Sequence, residues 1–209
     1  MPADTTPTPL PSTYGGMSLP EPPEAPQDAR SYWEPIWQQG RRYRTICEAE
    51  AKALRLQLGE GRGRPALDIG CGEGELTRRL AQFGYRTTGI DCAPTAVTKA
   101  RRNQPDLDVR RFDFDADDLT RLPSPAFAVV ACRLVYRWVA DKPAFLSRVR
   151  HLLVPGGIFW VATSVHDPAQ GTPRPWDITA GDAELLATGW SQVRVSKIDP
   201  SFHCYSLRP

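Results

Sequence analysis

Lysine is scarce, with four among 26 basic residues, and methionine occurs only twice in the 209-residue chain. No run of about 18 apolar residues exists, which excludes a membrane-spanning helix. The first 30 residues have neither a basic start nor an apolar stretch, so no secretory signal is read there. Charge of one sign is lacking too. Against the 26 basic residues stand 24 acidic ones, and a net charge of +2 offers no broad electrostatic footprint to a nucleic-acid backbone or an anionic membrane. Five cysteines (Cys47, Cys71, Cys92, Cys132, Cys204) are scattered, odd in number and form no C-x-x-C pair. That is the pattern of free thiols in a reducing cytoplasm rather than of a disulfide scaffold, and no metal site is read among them. The preference for arginine over lysine hints at a GC-rich bacterial genome and carries no functional information.

Proline is what the chain has in abundance. Eight of the 21 prolines fall before Gln27, among Thr, Ser and Glu, with almost nothing to bury. Such a composition does not offset the entropy of ordering, so residues 1–29 are expected to be a disordered tail. The remaining chain, roughly 180 residues, is enough for one core without covalent staples. One domain is expected over residues 30–209, with 30–64 as an N-terminal helical cap and 65–209 as the core.

From Tyr32 the character changes. Tyr32, Trp33 and Trp37 open an aromatic lead-in, and Ile46, Ala49, Ala53, Leu54 and Leu58 follow at helical spacing, stopping at Gly59. Thereafter strand and helix signals alternate. Strands are predicted over 66–69, 85–90, 108–114, 126–132 and 158–163, and helices over 75–83, 94–102 and 142–153. Pro94 suits the first position of its helix. Thr179 and Asp182 form a capping box before a short helix over 183–188. Two final strands, 191–198 and 202–207, follow without a helix between them. This order predicts an α/β, doubly wound, mostly parallel sheet with helices on both faces and one antiparallel member.

The chemistry lies at the strand ends. Leu67-Asp-Ile-Gly70-Cys-Gly72-Glu-Gly74 stands where the first strand hands over to the first core helix, and its glycines let the backbone approach a ligand closely. The spacing is G-x-G-x-G, and Glu75 would set a negative charge where a dinucleotide seats its pyrophosphate. The turn therefore favours a nucleoside ligand without phosphates over a nicotinamide dinucleotide. Asp91 ends the second strand, 17 residues after Gly74, where a carboxylate can accept hydrogen bonds from ribose hydroxyls. Asp113-Phe114-Asp115 ends the third, where a carboxylate can receive an adenine amine beside an apolar ring. Each acid alone is more often a solvated loop or a helix cap than a ligand; all three in order on successive strand ends are hard to dismiss as loop chemistry.

Residues 67–84, 89–93, 112–119, 127–139 and 152–161 resemble the class I S-adenosylmethionine-dependent methyltransferases. The motifs "LDIGCGEG", "GID" and "LLVPGGIFW" carry the resemblance, which covers roughly 65–208. It implies a Rossmann-like seven-strand sheet whose last strand runs antiparallel between its neighbours, and S-adenosyl-L-methionine as cofactor. By position, Asp68 and the backbone of Gly70, Cys71, Gly72 and Gly74 would hold its methionine end. Asp91 would grip the ribose, Cys92 and Phe114 would flank the adenine, and Asp115 or Asp113 would read its amine. Arg133 and Leu134, ending the fourth strand, would line the methionine side.

The reaction expected is methyl transfer to an oxygen or nitrogen nucleophile of a small metabolite or peptide side chain. Positioning supplies most of such catalysis, with a base to accept a proton. His166, just after the fifth strand, is a candidate base, whereas His151 reads as solvated and His203 as packing. Many small-molecule members carry a histidine beyond the fourth strand; here Tyr136-Arg137-Trp138 stands there. Arg137, in the histidine's place, could clamp a carboxylate or phosphate. Tyr43, in the lead-in, is a third substrate-facing candidate. Two alternatives stay open: a cofactor-binding subunit or sensor without activity, and a nicotinamide-dependent oxidoreductase. Nucleic acid and membrane are not expected as partners.

Overall fold

The computed structural model describes residues 29–40, 44–122 and 126–209. Tyr43 and all but the last residue of the expected tail lie outside them. Two helices precede the sheet: α1 (Ala29–Gln38) and α2 (Glu48–Leu58). The core then runs β1 (Pro65–Ile69), α3 (Glu75–Gln82), β2 (Arg86–Asp91), α4 (Pro94–Asn103), β3 (Asp108–Arg111), β4 (Phe127–Arg133), α5 (Lys142–Leu152) and β5 (Leu153–Val165). It ends with β6 (Asp177–Ile178), α6 (Ala180–Ala187), β7 (Gln192–Lys197) and β8 (Phe202–Arg208).

The strand order is β3-β2-β1-β4-β5-β8-β7, with β6 paired to β5 off this path. All pairs are parallel except β5 with β8 and β7 with β8, so β8 runs antiparallel between its two neighbours, as expected. The sheet has eight strands rather than seven because Asp177 and Ile178 pair with Ser164 and Val165 at the tip of β5. A two-residue strand leaves no period to read in the sequence. The fifth strand is also longer than expected, because Leu153 already pairs with Phe127 and residues 154–157 bulge out before pairing resumes between Val129 and Ile158.

Each face of the sheet has its own core. Leu67, Ile69, Val130 and Phe159 face α5 and α6. Ala66, Val129, Ala131 and Trp160 face α2 and α3. A fully buried leucine such as Leu54 or Leu80 contributes about 2 kcal/mol through area removed from water. The side chain of Trp160 also donates to Gln57 Oε1 at 2.7 Å, tying α2 to the sheet. The helix α2 presents Glu50, Ala53, Leu54 and Leu58 inward, and Ala49 is exposed, one position off the expected stripe. At α6 the Thr179–Asp182 capping box forms, and the helix starts at Ala180 rather than 183. No helix among the described residues is long and apolar enough to cross a membrane.

Candidate active site

At the carboxyl edge of β1 the chain turns through three glycines with left-handed backbone, Gly70 (φ 67°), Gly72 (φ 54°) and Gly74 (φ 84°). A Cβ on Gly70 would sit 2.4 Å from Val135 Cγ2, and one on Gly72 would sit 3.0 Å from the ring of Trp37. Both positions therefore need glycine for space as well as for conformation. Asp91, at the end of β2, fastens this turn. Its Oδ2 accepts from the Gly72 N–H at 2.9 Å and its Oδ1 from the Ala93 N–H at 2.8 Å. Burial pushes the Asp91 carboxyl above its usual range, while the two backbone bonds pull the other way.

A cavity of about 470 Å³ opens over these strand ends. Gly70, Cys71, Gly72, Asp91 and Cys92 form one stretch of its wall; Asp113, Phe114, Asp115, Arg133 and Leu134 form another. Phe114 meets Phe145 edge-on with ring centroids 5.1 Å apart, and both line the cavity together with Asp113 and Asp115. Asp113 Oδ1 accepts from the Asp115 and Ala116 N–H groups at 3.0 and 3.3 Å, which fixes that turn. Leu134 has a left-handed backbone (φ 62°), a strained state for a branched side chain, and its N–H donates to Ala162 O at 2.8 Å.

The lead-in forms part of the cavity wall. Trp33 and Trp37 of α1 line it, and α1 is held on both flanks. On one side Glu34 accepts from the Thr95 hydroxyl at 2.5 Å and the Thr95 N–H at 3.1 Å. Burial alone would raise the Glu34 carboxyl, but the Thr95 bonds outweigh it and hold it below its usual range. On the other side Tyr32 stacks on Trp138 with centroids 4.7 Å apart, and Trp33 meets the same ring edge-on at 4.9 Å.

Asp68 and Gly74 are not on the cavity wall. Asp68 lies one layer below, 1% exposed, and accepts from the Thr77 hydroxyl at 2.7 Å. Burial pushes its carboxyl up to about 7, with Thr77 lowering it and Asp91 raising it. Gly74 faces Gln104 and Leu107. His166 and Arg137 are half-buried and lie off the wall; the His166 N–H donates to Ile178 O at 2.9 Å, and the Arg137 guanidinium lies 5.9 Å from the Trp138 ring. His203 is buried in β8 opposite Thr163, and burial holds its imidazole below the usual histidine value. Arg133 reaches the wall, yet its guanidinium is turned to Glu50 on α2, with Nε–Oε1 at 2.5 Å and Nη2–Oε2 at 3.0 Å. Glu50 and Glu34 were not singled out from the sequence, and Trp138 was named only as part of the 136–138 stretch. Glu50 leaves a trace there, a charge at helical spacing from Ala53 and Leu54.

Residues 67–161 match the family described as methyltransferase domain. That stretch is similar to methyltransferase domains, and the fold around it is the one seen in S-adenosylmethionine-dependent methyltransferases. Among curated relatives, the malonyl-[acyl-carrier protein] O-methyltransferase of Serratia marcescens is 30% identical over 133 residues, 63% of this chain and 45% of that protein. A ubiquinone biosynthesis O-methyltransferase of Xylella fastidiosa is 36% identical over 104 residues, 48% of this chain and 42% of that protein. The chain thus spans less than half the length of these relatives. In fold it resembles an S-adenosylmethionine-dependent methyltransferase from Mesorhizobium loti (TM-score 0.62, 23% identity, 77% of this chain and 98% of that one). It also resembles the glycopeptide N-methyltransferase MtfA in complex with sinefungin (TM-score 0.63, 15% identity, 79% and 88%).

The methyltransferase cavity fits S-adenosylmethionine on its own chemistry. Gly70 and Gly72 leave their parts of the first turn bare of Cβ atoms, and Phe114, Asp113, Asp115 and the buried carboxylate of Asp91 line the same cavity. Glu75 heads α3 and accepts from the Ile46 N–H at 2.8 Å, so a carboxylate occupies the helix end that a pyrophosphate would need.

Proposed function

We propose that the chain is an S-adenosylmethionine-dependent methyltransferase acting on an oxygen or nitrogen of a small metabolite or peptide side chain. The observation that carries this reading is the cavity itself, built over three successive strand ends and lined on one side by α1. The two curated relatives named above are O-methyltransferases, which makes an oxygen acceptor the first to test. When bound, the cofactor supplies a methyl group already activated on a sulfonium. The backbone of Gly70–Gly72 then faces its methionine end, Asp91 accepts from the ribose hydroxyls, and Cys92 and Phe114 flank the adenine with Asp113 or Asp115 at its amine. Residues 30–64 act as a cap on the core at 65–209. Arg44, Thr45 and Leu134 line the cavity as well, whereas Arg137 and His166 lie off its wall. In this reading those two side chains address the acceptor rather than the cofactor.

The test is turnover. The full chain is incubated with S-adenosylmethionine and panels of phenols, carboxylic acids and amines, and S-adenosylhomocysteine is quantified. Acceptor-dependent product supports the proposal. Tight cofactor binding without turnover on any panel supports the second reading, a cofactor-binding subunit or sensor. That reading is favoured by one observation: no histidine among the described residues lines the cavity.

A further inference from the structure

Glu50 is 0% exposed, on the buried face of α2, and it meets a guanidinium that is itself only 10% exposed. Arg133 spends two of its N–H groups on the two Glu50 oxygens and a third on the carbonyl of Arg44, at 2.8 Å. That third bond belongs to a short segment, 44–46, pinned at further points. The Ile46 N–H donates to Glu75, and the Arg44 guanidinium lies 4.1 Å over the Phe202 ring and 3.6 Å from Asp199. Arg44 and Thr45 form cavity wall, as does Leu134, the strained residue that follows Arg133.

Buried ion pairs seldom add net stability over apolar residues of like volume, because two charges must leave water. An apolar pair, however, would leave the Arg44 carbonyl without its donor. The guanidinium fork serves both the carboxylate and the carbonyl, which a point charge does not. The geometry points to Glu50 as a positioning residue of the methyl-transfer site: acting through Arg133, it holds segment 44–46 as cavity wall, and Arg133 is a strut rather than a ligand of cofactor or acceptor. This assignment rests on the cofactor reading given above.

The test uses the full-length chain, S-adenosylhomocysteine calorimetry and thermal melting. Two variants are made, Arg133→Lys and the double replacement Glu50→Leu with Arg133→Met. The double variant removes both charges together and keeps a melting temperature near that of the parent. Both variants bind S-adenosylhomocysteine about tenfold more weakly, the scale of one lost hydrogen bond and the order it imposed. Parent-like affinity in the double variant at an unchanged melting temperature overturns the strut. So does parent-like affinity for Arg133→Lys when the double variant has lost all saturable binding, because the charge would then be touching the ligand itself. A parent chain that does not bind S-adenosylhomocysteine removes the cofactor reading and the strut with it. Binding by the parent with unaltered variants removes the strut alone.

Discussion

The ring of Trp37 lies against Gly72 so closely that a single methyl on the glycine would stand 3.0 Å from it. One residue belongs to α1 and the other to the glycine turn after β1, so the two elements share one surface. Gly72→Ala places that methyl and also puts an alanine at φ 54°. The expected result is a loss of stability of about 1–3 kcal/mol from the strained backbone. S-adenosylhomocysteine affinity falls at the same time, because α1 is pushed outward. Chemical denaturation and calorimetry on the one variant read both effects.

Trp138→Ala removes the ring on which Tyr32 stacks and against which Trp33 packs. Aromatic pairs of this kind contribute roughly 0.5–1.5 kcal/mol each beyond area burial. The cap then keeps its Thr95 contact and loses the opposite one. Faster dissociation of S-adenosylhomocysteine, with little change in association, is the expected signature in stopped-flow fluorescence.

Asp68 gives the methyltransferase domain a pH signature. Its carboxyl is pushed from 3.8 to about 7 by burial, so between those values the folded chain holds a proton that the unfolded chain has released. The stability this provides is fully present at acid pH below the unfolded value and is lost as pH rises through about 7. Asp68→Asn, which keeps an acceptor for the Thr77 hydroxyl, flattens that part of the profile. Melting temperatures of both chains from pH 5 to pH 8, values chosen about the folded pKa, provide the check.

Much of the site was legible because its parts are local. The glycine turn, Asp91 and the Asp113–Asp115 turn each follow a strand that its own residues announce. The parallel sheet then carries all three to one edge. Arg133 was legible as a position but not as an orientation. The residue that turns it, Glu50, lies 83 positions earlier, and a side chain's direction depends on the partner that tertiary packing supplies. The same holds for His166: its place after β5 was readable, but its backbone bond to Ile178 of β6 and its position off the cavity wall were not. The strand β6 itself is too short to leave a pattern.

His166→Ala and Arg137→Ala test the proposed acceptor contacts separately from the cofactor. Neither residue lines the cavity, so each variant is expected to bind S-adenosylhomocysteine within about twofold of the parent, a difference of roughly 0.4 kcal/mol. With an acceptor in hand, their effect falls on acceptor KM or on the pH profile of kcat. A large loss of cofactor affinity in either variant would place these side chains at the cavity after all.

The central claim, that the cavity over the three strand ends is an S-adenosylmethionine site, is tested most directly by titrating the full chain with S-adenosylhomocysteine in a calorimeter. One saturable site per chain is expected, with a Kd on the order of micromolar, about −8 kcal/mol. Asp91→Asn, which disturbs the carboxylate between turn and ribose, is expected to weaken it by about tenfold or more. No heat of binding at millimolar ligand, or full affinity in the Asp91 variant, would contradict the account.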